Sequence, residues 1–366
     1  MNDVASGILR ITFVAPPVGM SGGIRVMAIY AKMLAEFGHR VVVVSPPAAP
    51  ISFKQKLKYW LRNQEWPVLN PPRSHLDGQG LDHRVLSAHR PVTDKDVPDA
   101  DVVIATWWET AEWVNTLSAR KGVKIYFIQH HEVFDFVPEG RCIATYRLPL
   151  HKIVIAQWLA RLMRDEYGDA NVDLVSNSVD HRQFFAPARA KQVRSTLGFL
   201  YHKAPFKGVD VVLAAVKVLR ERYPELRVIC FGSHAPGQLA TLADFIEFYE
   251  SPPQDSIRDI YAQCDVWVTA SRSEGFNLPA MEAMACRTPV VATTTGWPEE
   301  AIANGVNGYL VAVDDVGGLV ESVSRILDAD DQVWRAMSQA AFLTVAESSW
   351  AKSCAQFEAV LRRVCQ

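Results

Sequence analysis

The sequence predicts an α/β protein made of two Rossmann-like, doubly wound parallel-sheet domains in tandem. Three observations carry that prediction. Short β-branched runs alternate with amphipathic helical stretches along most of the chain. The alternation restarts near Asn177 without a long linker. The length of 366 residues suits two packed cores, at roughly 100 to 200 residues per domain.

Leu9 to Ala15 reads as the first strand, closed by Pro16-Pro17 and the loop Gly19-Met20-Ser21-Gly22-Gly23. Val26, Ile29, Tyr30, Met33, Leu34 and Phe37 then recur at three and four residues, the spacing of one helix face, and Gly38 stands where a left-handed cap belongs. Val41 to Val44 is a continuous β-branched run, as in a parallel strand covered on both faces. Val102 to Ala105 and Lys124 to Ile128 repeat that strand signal, with a helical segment after Glu109. Ile153 to Ile155 follows as a strand, then the helix Gln157 to Tyr167. Residues 46 to 100, rich in Pro, Arg and His with weak periodicity, read as an insertion. Within it Phe53, Leu57, Trp60 and Leu61 share a helical face among basic residues. That face suits packing against the first domain, or an interfacial helix on an anionic membrane.

In the second half, Gln192 to Leu197 is expected as a strand, Val209 to Arg222 as a helix ending before Pro224, and Leu226 to Phe231 and Phe245 to Tyr249 as strands. Asp255 to Gln263 is a helix, Val266 to Ala270 a strand, Ala280 to Ala285 a helix, Val290 to Thr293 a strand and Val316 to Leu327 a helix. Trp350 to Val364 has no strand after it and is expected to cross back to the first domain. The domains are therefore read as 1–176 and 177–347, with 348–366 packing on the first. Two such lobes are expected to face a cleft, because ligands of doubly wound sheets bind beyond the carboxyl ends of the strands.

Composition narrows the function. With 49% apolar and 21% charged residues and a net charge of −2, nothing calls for nucleic acid. The six cysteines form no C-x-x-C pair and no metal-ligand spacing with histidine, so they read as thiols in a reducing compartment. A signal-peptide pattern is missing from the first residues, and no window reaches the ~18 apolar residues of a membrane span. The cytoplasm, or its membrane face, is the expected location.

Ser271 to Ala285 is the most informative stretch. It begins at a strand's carboxyl end, and Pro279 fits a first helical position, which needs no N–H. Gly275, Phe276, Asn277 and Leu278 then form a turn with unsatisfied amides at a helix N-terminus, a site for phosphate or a sugar oxygen. Glu274 in the loop and Glu282 in the first helical turn flank those amides. An alternative for the pair is a carboxylate that only complements the helix dipole and a solvated loop acid.

The segment Glu274 to Glu282, with Pro289-Val290-Val291-Ala292-Thr293, Gly296-Trp297-Pro298-Glu299 and Asn304-Gly305-Val306-Asn307-Gly308-Tyr309-Leu310-Val311, resembles the donor-site signature of the GT4 (glycosyl transferase group 1) family of retaining glycosyltransferases. Lys207-Gly208-Val209-Asp210 is similar to that family's Lys-Gly element, Asn177-Ser178-Val179-Asp180 to its Asn-Gly-Val-Asp stretch, and Ser21-Gly22-Gly23 to its N-terminal glycine loop. The resemblance implies the GT-B fold and transfer of a sugar from a UDP- or GDP-linked donor to a glycan, lipid-linked or small-molecule acceptor. Residues 46 to 100 would lie on the acceptor side. It also implies that Glu282 receives ribose hydroxyls, Glu274 the hydroxyls of the sugar, the amides of Gly275 to Leu278 the donor, and Lys207 the diphosphate. Gly22 and Gly23 join the donor-binding set. A fixed ammonium suits a leaving diphosphate, which gains charge in the transition state. Neither a metal nor a cofactor is implied; the nucleotide diphosphate sugar is a substrate.

His130 and His131, in Gln129-His130-His131-Glu132, follow a strand where the family often brings a residue to the donor sugar. A structural histidine is the alternative. Arg25 is a further candidate facing the diphosphate. Three departures stand out. Phe199 follows Gly198 where relatives often carry Arg, which leaves His202, Lys203 or no residue at all as the second phosphate cation. Arg287 replaces a usual glycine, and Gly296-Trp297 replaces a glycine pair. A nucleotide-sugar epimerase, a phosphorylase and a degenerate glycan-binding module are the rival readings. A dinucleotide oxidoreductase is disfavoured, because the first loop lacks G-x-G-x-x-G spacing.

Overall fold

The computed structural model describes residues 7–50, 73–135, 137–233 and 245–366. The chain divides into two compact units. The first comprises Met1–Ile155, Leu159–Val175 and Cys354–Gln366, the second Ala156–Trp158 and Ser176–Ser353.

The first unit runs β1 (Arg10–Val14), α1 (Gly22–Glu36), β2 (Arg40–Ser45), β3 (Asp82–Val85), β4 (Val102–Ala105), α2 (Trp108–Thr116), β5 (Val123–Ile128), α3 (Glu139–Thr145), β6 (His151–Val154), α4 (Gln157–Tyr167) and β7 (Val172–Leu174). Its seven strands are ordered β3-β2-β1-β4-β5-β6-β7, all parallel. The apolar face of α1 buries Val26, Tyr30 and Leu34, and Gly38 closes the helix at φ +95°. Phe357 from the last helix completes this core. Its ring stacks on Tyr30 at 4.6 Å and meets Phe127 edge-on at 5.2 Å, so truncating it would cost about 3–5 kcal/mol.

The second unit contains β8 (Thr196–Leu200), α5 (Val209–Arg222), β9 (Arg227–Gly232), β10 (Ile246–Glu250), α6 (Ile257–Ala262), β11 (Val266–Thr269), α7 (Leu278–Ala285), β12 (Val290–Thr293), α8 (Pro298–Ala301), β13 (Gly308–Val311), α9 (Val316–Asp328) and α10 (Asp331–Val345). The chain then enters α11 (Trp350–Val364), most of which belongs to the first unit. The six strands are ordered β10-β9-β8-β11-β12-β13, again all parallel. Leu197, Phe199, Val212, Val216, Val268 and Ile326 belong to one apolar cluster. Two parallel doubly wound units make this the expected architecture.

The differences from the sequence reading have physical causes. β8 begins at Thr196, four residues beyond the expected start, because the amides of Gln192 and Thr196 both donate at 2.8 Å to the buried Asp265 carboxylate. The Asp265 side chain therefore takes amides that a ladder would have used, and backbone pairing begins only where Ser195 O accepts from Arg227 N at 2.9 Å. Gly198 lies inside the strand, where a Cβ would come 2.3 Å from Cys264 Sγ. The expected insertion contributes β3, a short and largely exposed edge strand on β2. The amphipathic stretch 53–62 lies outside the described residues. Phe199 is fully buried in the sheet core, so it belongs to packing.

Candidate functional site

In the second unit, the loops beyond β8, β11 and β12 meet through specific side chains. After β8 the chain makes a short turn, Pro205–Lys207, which ends on Gly208 at φ +61°. A Cβ at Gly208 would stand 1.8 Å from the Ala270 carbonyl oxygen, so the turn rests directly on backbone beyond β11. Only glycine permits that approach, and it explains the Lys-Gly pair physically. The approach carries Lys207 across, and its Nζ donates to both oxygens of Glu274 at 2.7 and 2.9 Å. Ser271 Oγ donates to Glu274 Oε1 at 2.7 Å. The Glu274 side chain is 8% exposed and that of Lys207 24%. Glu274 is thus a buried, paired carboxylate and not a solvated loop acid.

Arg272 ties the surrounding loops together. Its backbone N–H donates to Phe206 O at 2.7 Å and its NH1 to Pro205 O at 2.6 Å. The same guanidinium meets Asp210 in the first turn of α5 at 2.7 Å and Asp314, beyond β13, at 2.7 Å. Those hydrogen bonds hold the Arg272 guanidinium above its ordinary range and the Asp210 carboxyl below its own.

The next residues present the amides. Asn277, at φ +81°, caps α7 by accepting from Ala280 N, while its Nδ2 donates to Thr269 Oγ1 at 2.9 Å. Trp158 Nε1 donates to Gly275 O at 2.9 Å, and Trp297 N to Phe276 O at 2.9 Å. In a trans peptide the N–H points opposite to the carbonyl, so these bonds aim the amides of Phe276 and Asn277 the other way. Among the described residues those amides and that of Gly275 donate to no protein acceptor. The Trp297 ring stacks on Phe276 at 5.5 Å, and Gly296, at φ +68°, lies where a Cβ would come 2.8 Å from Glu274 Cβ. Trp297 therefore braces this loop where a second glycine was expected.

Glu282 falls just past the first helical turn in which it was expected, because Asn277 starts the helix at Leu278 and Glu282 is its fifth residue. It is 5% exposed and accepts from Tyr261 Oη at 2.9 Å. Complementing the dipole is not its explanation, since that effect is confined to the first turn. Arg287 at the other end of α7 stands at φ +60°, in the position of a Schellman glycine, with Arg287 N on Met284 O and Thr288 N on Ala283 O. The left-handed backbone costs roughly 1–2 kcal/mol for a residue with a Cβ. The arginine offsets it by donating to Ala186 O at 3.1 Å, pairing with Gln339 and lying 4.2 Å over the Phe342 ring. Lys203 is exposed, and His202 Nδ1 accepts from Ala204 N at 3.0 Å.

In the first unit, Gly22 and Gly23 open α1 behind the Ser21 cap and are exposed. Gly23 O accepts from Gln129 Nε2 at 3.1 Å, which joins the glycine loop to the segment after β5. Arg25 lies just inside the helix, half-buried. His130 is half-buried beside Phe134, whereas His131 Nε2 is bonded to Tyr167 Oη at 2.7 Å and burial lowers its basicity. Glu132 carries no motif of its own in the sequence. It is fully buried, accepts from Trp108 N at 2.6 Å and Tyr126 Oη at 2.9 Å, and donates its own N–H to Tyr146 Oη at 2.7 Å. Burial pushes its carboxyl up to about 8. Its tyrosine partners, six and fourteen residues away, stand at no spacing that marks a pair.

Comparison with known proteins adds the following. The family described as Glycosyl transferases group 1 matches residues 192–329. D-inositol 3-phosphate glycosyltransferase of Mycolicibacterium smegmatis is 31% identical over 56% of this chain and 50% of that protein. The chain spans about half the length of several curated relatives of that name. Sucrose-phosphate synthase from Thermosynechococcus elongatus superposes with a TM-score of 0.74 at 18% identity, covering 97% of this chain and 99% of that one. Anabaena HepE in complex with UDP and glucose gives 0.72 at 16%, covering 96% and 99%.

Proposed function

We propose that the chain, which has the GT-B fold and whose residues 192–329 match the family described as Glycosyl transferases group 1, transfers a glycosyl group from a UDP- or GDP-linked sugar to an acceptor hydroxyl, with retention and without a metal. The observation that carries this reading is the Lys207 ammonium on Glu274, at the edge of a loop whose outward amides have no partner among the described residues. Such an arrangement offers a fixed cation and oriented N–H groups to a diphosphate, and a buried carboxylate to sugar hydroxyls.

In the proposed reaction the bond from the anomeric carbon to the diphosphate breaks and its electron pair leaves with the phosphate. Lys207 and the amides of Gly275 to Leu278 stabilise that charge. An acceptor oxygen bonds to the anomeric carbon on the same face, and its proton passes to the departing phosphate oxygen. Glu274 orients the ring hydroxyls as the ring flattens and Glu282 receives the ribose. Since the ammonium supplies positive charge at the leaving group, no divalent ion is required there. The acceptor is a glycan, a lipid-linked molecule or a small molecule; the inositol phosphate for which the relatives are named falls in the last class. Among the described residues no helix is long and apolar enough to cross a membrane.

The test is transfer from a panel of UDP- and GDP-sugars to polyol and glycan acceptors, with product configuration read by NMR coupling constants. An inverted anomer would refute retention. Epimerised donor, or turnover dependent on inorganic phosphate, would replace transfer with a rival chemistry.

A further inference from the structure

The geometry points to Tyr261 as the positioning residue of the nucleotide pocket: its hydroxyl sets the orientation in which the Glu282 carboxylate meets the ribose. This rests on the reading of Glu282 given above and adds the group that makes it selective for a ribonucleotide.

A glutamate has a broad, roughly two-fold terminal torsion, so burial alone does not fix the plane of its carboxylate. In Glu282 an external hydrogen bond does so: Tyr261 Oη donates to Oε2 at 2.9 Å, with both residues buried. The donor is itself immobilised. Its ring meets Trp267 at 4.6 Å, Phe231 at 5.8 Å and Phe184 at 6.1 Å, all steeply inclined, so three rings from separate segments fix its rotamer. Its backbone is pinned as well, since Tyr261 O accepts from Thr288 Oγ1 at 2.7 Å. Thr288 lies three residues beyond the end of α7, so the segment that carries Glu282 and the helix that carries Tyr261 are fastened at two points.

A vicinal diol donates two hydrogen bonds in a fixed relation. A carboxylate held in one plane meets both, and one free to rotate meets them only part of the time. The tyrosine therefore acts on recognition of the ribose through Glu282, without touching the nucleotide.

The test measures dissociation constants of UDP and GDP against their 2′- and 3′-deoxy counterparts. Wild type is expected to prefer the ribonucleotide at least tenfold. Glu282→Gln should abolish the preference, Tyr261→Phe should reduce it several-fold while deoxynucleotide affinity holds, and the double variant should fall no lower than Glu282→Gln. A wild-type preference surviving in Tyr261→Phe while lost in Glu282→Gln overturns the inference and spares the reading. A preference that survives in Glu282→Gln overturns the reading itself. Equal weakening of ribo- and deoxynucleotides in Tyr261→Phe, with a lowered melting temperature, marks a purely structural tyrosine and also overturns the inference. If the phenylalanine variant does not fold, Glu282→Asp carries the test, because its shorter carboxylate cannot meet the phenol and the ribose together. Wild-type preference in that variant refutes the proposal.

Discussion

Replacing Lys207 with methionine separates what the ammonium does for the ligand from what it does for the fold. Methionine retains an unbranched apolar stem beside Phe206, 5.4 Å from the ammonium, and removes only the charge. An ammonium has three donors, and Glu274 takes two of them. The third can serve a diphosphate without breaking the pair. A hydrogen bond to a charged group is worth about 1.5–3 kcal/mol, so UDP or GDP should bind about 10- to 150-fold more weakly, and uridine or guanosine about equally well. The fold should suffer too, because Glu274 keeps only the Ser271 hydroxyl. Fully buried pairs lose about 3–5 kcal/mol on breaking, and discounting for the partial exposure of Lys207 leaves about 1–2 kcal/mol. Calorimetric titration with nucleoside, monophosphate and diphosphate, alongside melting curves, reads both effects. Adding Glu274→Gln to the variant should restore stability and leave diphosphate affinity low. A diphosphate affinity that falls no more than nucleoside affinity would refute the argument and take Lys207 out of the phosphate site.

Three further outcomes are expected. Glu282→Gln should raise KM for the donor with kcat little changed, since the ribose is the same in ground and transition states, whereas Glu274→Gln should lower kcat and leave the affinity for free nucleotide intact; the reverse pattern would mean the donor lies the other way round. Transfer should persist in EDTA, and loss restored by manganese or magnesium would contradict the charge role given to Lys207. Glu132→Gln should grow more stable than wild type as pH rises, because the folded chain holds near pH 8 a proton that the unfolded chain releases near 4.5. Wild type thus loses stability between those values, on the order of 5 kcal/mol at 1.36 kcal/mol per unit, and urea melts of the two proteins at pH 5 and 8.5 that run in parallel would count against it.

The sequence carried those elements whose apolar period was strong. Val209–Arg222, Gln157–Tyr167 and Trp350–Val364 were legible to the residue, because their faces repeat every three or four positions. β3 was not, since Asp82-His83-Arg84-Val85 is an edge strand with little to bury, and β7 has three half-buried residues. Glu274 and the turn between Gly275 and Leu278 were legible from the local strand–turn–helix pattern and Lys207 only through the family resemblance; the structure puts them within bonding distance or on adjoining residues. What stayed hidden was pairwise: Arg272 with Asp314, Tyr261 with Glu282, Glu132 with Tyr126. Such pairs unite residues that no periodicity relates, so only the folded chain reveals them.

The Arg272 guanidinium has a thermodynamic consequence. By bonding Pro205, Asp210 and Asp314 at once, it makes three loop ends move as one body. A site assembled from independently mobile loops must surrender their freedom on each binding event, at about 0.5–1.5 kcal/mol per immobilised side chain. Here that ordering was completed when the protein folded. Donor binding at this end of the sheet should therefore proceed with little loss of conformational entropy, and amide exchange over 205–210 should be nearly as slow before the nucleotide arrives as after it.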